Sequence, residues 1–221
     1  MPNFTIKQMV KKYSVLICII ISVVLLVIAT LLYPGGSLLD KNSRGFDWSK
    51  NFISNLFAAK AINGSENASR FWAIIGMAFH SVGYGIFFIH MSKKICSKHA
   101  ATILKLIGAG NILFSFLIIT PLHDIMVTIS STLSLIGLFY ITVFILMTRL
   151  HLLKFSCIIC LLTFYYTLYL YGSGNWSLLA IMQKISFICS MLLVLGIEYF
   201  TKQENFKQIK RGGQKIQATN R

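Results

Sequence analysis

At 221 residues, with 56% hydrophobic and 12% charged side chains, the chain carries about half the roughly 25% charge of an average soluble domain, so most of it meets lipid rather than water. A formal net charge of +15 raises nucleic acid as a partner, but the basic residues flank apolar runs and leave no polar domain with a base-reading motif; membrane lipids are the expected partners instead. Cys18, Cys96, Cys157, Cys160 and Cys189 are odd in number and mostly lie in apolar runs, which excludes a disulfide framework, and the C-x-x-C of Cys157 and Cys160 reads as two small packing residues.

The expected fold is all-α, a bundle of six transmembrane helices. Residues 1–12 form a basic tail with Lys7, Lys11 and Lys12. The apolar run from Tyr13 to Tyr33 exceeds the 7–15 residues of a signal-peptide core and no small-residue cleavage site follows it, so it reads as a retained first span. Tyr33-Pro34-Gly35-Gly36 then breaks the helix and opens a loop to Arg70. Within the loop Trp48, Phe52 and Leu56 recur every four residues, as do Ile53 and Phe57. This spacing predicts a short amphipathic helix over Asp47–Ala59, capped by Asp47 and lying along the membrane surface, with Asp47, Asn51, Ser54 and Asn55 on its polar stripe.

Five further runs follow at about Phe71–Met91, Ala101–Thr120, Asp124–Met147, Leu152–Tyr171 and Ser177–Phe200, each near the ~20 residues that cross a ~30 Å hydrocarbon core. The turns Pro121–His123 and Gly172–Trp176 are short, as antiparallel neighbours require. Residues 201–221 read as a basic, disordered cytoplasmic tail that touches anionic headgroups. Sequons at Asn63, Asn67 and Asn175 fall in outer segments and matter only where glycans are made.

Orientation follows from the basic residues. With the N-terminus inside, Lys7, Lys11, Lys12, Lys93, Lys94, Lys98, Arg149, Lys154, Lys202, Lys207, Lys210, Arg211, Lys215 and Arg221 lie inside, against Lys41, Arg44, Lys50, Lys60 and Arg70 in the one long outer loop. This satisfies the positive-inside rule and places both termini in the cytoplasm of a cell-membrane protein. Trp48, Trp72 and Trp176 then fall at the outer interface as an aromatic belt.

Ionisable groups inside spans cost about 2.5–3.5 kcal/mol at the centre, so each is a functional candidate. His80 lies in span two, Lys184 in span six beside Gln183, and His123 and Asp124 at the turn before span four. Asn111 is midway along span three, and span four begins with a Ser/Thr-rich stretch from Thr128 to Ser134. Each has a structural reading: a hydroxyl partner for His80, a snorkelling Lys184, a helix-capping Asp124 and interhelical glue for the rest. The outer location that all of these except Asn111 share instead suggests one outward-facing polar pocket, lined by His80, His123, Asp124 and Lys184 with Asn111 deeper, and roofed by Asp47, Asn51 and Ser54. Ser81 with Gly85, and Gly108 with Gly110, offer small faces for close helix approach.

A first span ending in Tyr33-Pro34-Gly35-Gly36, then Asn51-Phe52-Ile53-Ser54-Asn55-Leu56, then Asn67-Ala68-Ser69-Arg70 leading into a Gly-containing span, and a His-containing turn before span four together resemble the domain-of-unknown-function 998 family of six-helix membrane proteins. The chain is more distantly similar to the FRAG, DRAM and SFK group, associated with lipid-anchor remodelling and autophagy. The resemblance implies the six-helix fold and no established reaction. Three functions compete: a non-enzymatic protein binding a lipid or small molecule in the pocket; a membrane-embedded hydrolase in which His80, His123 and Asp124 hold a water-activating metal; and an inert assembly or scaffold subunit. A secondary transporter needs inverted repeats that one six-span set does not supply, although a homo-oligomer would provide the second half. No catalytic motif and no cofactor is assigned by the sequence.

Overall fold

A computed structural model describes residues 6–117 and 122–207; within these, the side chains at 6, 7, 115, 116, 123, 124, 127 and 128 lie outside the description. Six long helices follow one another as α1 (Ile6–Leu32), α2 (Arg70–Lys94), α3 (Lys98–Leu117), α4 (His123–Leu146), α5 (His151–Ser173) and α6 (Trp176–Phe200). Among the described residues there is no strand, only isolated bridges between Gly35 and Arg44 and between Lys60 and Glu66. In α1, α2, α4, α5 and α6 the described residues are long and apolar enough to cross a membrane, where a helix keeps every backbone hydrogen bond within its own segment.

Helix boundaries exceed the apolar runs where the flanking residues favour helix. The chain is already helical at Ile6, ahead of the run beginning at Tyr13, because Lys11 and Lys12 are exposed and straight-chained and so hold the helix without burial. Between α5 and α6, Gly174 takes the left-handed conformation at φ 72°, and Asn175 Oδ1 accepts from the Leu178 amide at 3.3 Å, ending one helix and starting the next within two residues.

Sequential helices pack side by side from α1 to α6, and α6 returns to touch α2 and α1. The main core gathers Phe87, Phe88 and Met91 of α2 with Leu104 and Ile107 of α3, Ile141 and Ile145 of α4, Cys157 and Cys160 of α5 and Val194 and Ile197 of α6. At the seam of α2 on α3 a Cβ at Gly108 would stand 2.9 Å from the Gly85 carbonyl oxygen, so glycine is required for the two backbones to meet. Beyond α6 the chain is held for a few more residues. Asn205 Oδ1 accepts from the Lys202 amide at 2.7 Å, and Phe206 is buried in the main core. The start of the tail at 201–221 is therefore packed rather than free, and residues 208–221, like the tail residues 1–5, lie outside the described residues.

The long loop between α1 and α2 folds as a cap over one end of α1, α2 and α6. Leu56, Phe57 and Ala61 pack on Leu26, Ala29, Tyr33 and Ala73, while Phe52 packs on Leu170, Leu179 and Ala180. The helix predicted over Asp47–Ala59 is not formed. Only Ile53–Phe57 winds, as one 3-10 turn. The reason lies in the polar residues of the same stretch, which offer the backbone closer partners than a helical ladder. Asp47 Oδ1 accepts from the Ser49 amide and hydroxyl at 2.8 and 2.6 Å, Asn51 Oδ1 from the Asp47 amide at 2.9 Å, and Asn55 Oδ1 from the Phe52 amide at 2.7 Å. The apolar residues keep their role as the buried side of the segment, without the helical path.

Candidate functional site

The candidate side chains meet at the junction of the cap with α2 and α6. Lys184, 7% exposed, sits one turn into α6 from its buried neighbour Ala180. Its ammonium donates to the Asn51 carbonyl at 2.5 Å and to the Ala180 carbonyl at 2.6 Å, and lies 5.8 Å from the centre of the Phe46 ring. Hydrogen bonds to a charged group contribute about 1.5–3 kcal/mol each, which offsets the cost of holding the charge in a span. The adjacent Gln183 Oε1 accepts from the Ile53 amide at 2.9 Å. Two consecutive α6 side chains thus grip the cap backbone. Lys184 does not snorkel to solvent; it fastens a loop.

The polar residues assigned to the pocket roof hold the cap together. Asn51, fully buried, donates from Nδ2 to the Gly36 carbonyl at 2.7 Å. That carbonyl is available because Gly36 adopts φ 84°, where a Cβ would strike the backbone of Asn63. Asn67 donates toward the carbonyls of Asn55, Leu56 and Ala58 at 3.2, 3.3 and 2.8 Å, and its Oδ1 accepts from the Ser69 hydroxyl at 2.5 Å. Its sequon is therefore buried in the folded cap, whereas Asn63 and Asn175 are exposed. Asp47 shapes a turn rather than capping a helix. The hydroxyl and amide of Ser49 hold its carboxyl below the ordinary carboxylate range, with the Lys50 ammonium, 3.6 Å away, adding to the effect. Ser54 lies half-buried in the 3-10 turn.

His80 lies beneath this clamp, 8% exposed. Its ring stacks on Phe187 of α6, with centroids 4.6 Å apart, and lies tilted against Tyr84 at 4.2 Å. Phe187 is one turn from Lys184, so His80 and Lys184 address the same α2–α6 seam. The hydroxyl partner expected for His80 is absent: Nδ1 is buried and has no hydrogen-bond partner among the described residues. Farther along the seam Tyr84 and Ser190 share a hydrogen bond at 2.8 Å.

Asn111 serves another interface. Its amide donates to Ser134 at 2.8 Å and its carbonyl accepts from Ser130 at 3.0 Å, so it joins α3 to α4. The side chains of His123 and Asp124 lie outside the described residues, and the pocket reading of both rests there. Among the described residues no three His, Cys, Asp or Glu side chains gather where they could hold a metal.

One cluster escaped the sequence reading. At the end of the bundle away from the cap, the largely buried Glu198 carboxylate accepts from His90 Nδ1 at 2.7 Å and faces Lys94 Nζ at 3.3 Å, and Lys94 also donates to the Glu198 carbonyl at 2.6 Å. Nearby, Tyr199 accepts from the Leu16 amide at 3.2 Å, tying α1 to α6. The signal was present: the chain has six acidic residues, and Glu198 stands inside the last apolar run, where a carboxylate needs a partner. Comparison of the chain with protein-family models, curated proteins and solved structures finds no match.

Proposed function

We propose that this chain is a six-span protein of the cell membrane, with both termini cytoplasmic and the cap outside, and that it binds a lipid or small amphiphile beneath the cap without catalysing a reaction. The observation that carries this reading is His80, whose buried Nδ1 lacks a partner among the described residues. Leaving a buried polar group unmet costs about 1–3 kcal/mol, and a guest that supplies the missing hydrogen bond removes that penalty. The aromatic rings of Tyr84 and Phe187 beside it suit the apolar body of such a guest. The short basic segments around Lys93, Lys94, Lys98, Arg149 and Lys154 support the orientation.

The test is native mass spectrometry of protein extracted in mild detergent. Wild type should retain a lipid-sized adduct and His80→Phe should lose it; bare wild-type protein would refute the binding reading. A purely structural membrane subunit is the second reading. It is favoured by the internal hydrogen bonds of Lys184, Asn51 and Asn111, which leave these candidates engaged in holding the fold.

A further inference from the structure

The two buried side-chain atoms without a partner are His80 Nδ1 and Ser22 Oγ, among the described residues. They belong together by position. A Cβ on Gly76 would stand 3.3 Å from the Ser22 carbonyl oxygen, and one on Gly83 would stand 3.0 Å from Cys18 Cβ. This antiparallel register brings the stretch between Gly76 and Gly83, which contains His80, level with Ser22 to within about one helical turn. Positions 76, 80 and 83 fall on one face of α2. Depth agrees: Ser22 lies ten residues from Leu32, and His80 ten residues from Arg70, the cap-side ends of their helices, or about 15 Å at helical rise.

Ser22 is also unusual among the hydroxyls of this bundle. Ser81, Thr142, Ser156 and Thr163 each donate to the carbonyl four residues earlier, at 2.7–3.0 Å, which is how a span normally satisfies a hydroxyl. Ser22, with no exposed surface, does not. Neither Ser22 Oγ nor His80 Nδ1 has a partner among the described residues.

We propose that Ser22 and His80 form one hydrogen-bonding site at the α1–α2 seam for the hydroxyl of an uncharged, alcohol-headed lipid of the diacylglycerol class. The proposal rests on the binding reading above and names the ligand. A hydroxyl both donates and accepts, so it can answer an imidazole nitrogen and a serine hydroxyl at once. A phosphate head carries at least one negative charge, and a charge ~15 Å from the helix ends is expensive in hydrocarbon. The cation near the seam, Lys184, already donates to the Asn51 and Ala180 carbonyls. The neighbours of the His80 ring, Tyr84 and Phe187, bring no formal charge to the site.

The experiment uses full-length protein in phosphatidylcholine nanodiscs and a diacylglycerol carrying a photoactivatable acyl chain. Unlabelled dioleoylglycerol should displace the label at a mole fraction about tenfold lower than dioleoylphosphatidic acid, and Ser22→Ala and His80→Phe should each reduce labelling about tenfold, the scale of one lost hydrogen bond. His80→Gln, which can still donate and accept, should retain more label than His80→Phe. Equal or better competition by phosphatidic acid would overturn the ligand assignment while leaving lipid binding intact. Labelling that no lipid displaces would overturn both. Unchanged labelling in well-folded Ser22→Ala and His80→Phe would mean that the orphan atoms hold only water. The wild-type competition decides the headgroup question even where a variant fails to fold.

Discussion

Lys184 and Asn51 are separated by 133 positions in the chain and joined by one hydrogen bond, from the ammonium of the last helix to a carbonyl in the first loop. Replacing Lys184 with Met keeps the stem and removes the donor. We expect the six helices to persist and the cap to loosen by about 1.5–3 kcal/mol, read as faster amide exchange across Asn51–Phe57 with little change in α3 or α4. Unaltered exchange in the cap would show that the Gln183 contact and apolar packing suffice.

The topology is checked by thiol labelling. In a background without the native cysteines, Ser65→Cys, on an exposed turn of the cap, should react with an impermeant maleimide on intact cells. Lys202→Cys should react only after the membrane is opened. The reverse pattern would invert the orientation.

At the α2–α3 seam, Gly108→Val should destabilise the protein by about 1–3 kcal/mol through overpacking, since even a methyl group there meets the Gly85 carbonyl. The measurement is thermal unfolding in detergent, with Gly172→Val, which has nothing nearby to strike, as the control.

Glu198→Gln keeps the shape of the far-end cluster but removes the charge that His90 and Lys94 share. We expect a double-mutant cycle between Glu198→Gln and His90→Phe to give a coupling of about 0.5–3 kcal/mol. A coupling near zero would mean that the α2–α6 contact there is held by packing.

The Asp47 turn should respond to acid. Because its carboxyl is held below the ordinary range by Ser49 and Lys50, its contribution is present above the unfolded carboxylate value of about 3.9 and is lost as pH falls through the lower, folded value. Exchange of the Ser49 amide should rise, relative to its intrinsic rate, as the turn opens on acidification below that range, and Ser49→Ala should shift the onset to higher pH.

How much of this was legible varied with the physics involved. Apolar runs located the helices because lipid leaves a backbone few alternatives, and Tyr33-Pro34-Gly35-Gly36 located the break because Gly36 occupies a conformation closed to other residues. The cap was not legible in the same way. The four-residue spacing of Trp48, Phe52 and Leu56 identified a segment with a buried side, but periodicity does not weigh the side-chain oxygens of Asp47, Asn51 and Asn55 against a helical ladder. Depth placed Lys184 and His80 at one seam, yet Asn111 at similar depth faces α4, because rotation about a helix axis depends on neighbours that a single run of residues does not name. Glu198 is visible as a lone carboxylate in the last apolar run, but its partners His90 and Lys94 lie 108 and 104 positions away, and no local spacing names them.

The clamp on the cap also has a place in time. The loop that contains Asn51 leaves the ribosome long before α6, and at roughly 5–20 residues per second the 133 positions to Lys184 take roughly 7 to 27 s to synthesise. Throughout that interval the loop has no α6 to hold it. A nascent chain that stops early, or whose last helix fails to insert, would therefore display an unfastened loop, a difference that a surface protease could recognise in sorting finished molecules from unfinished ones.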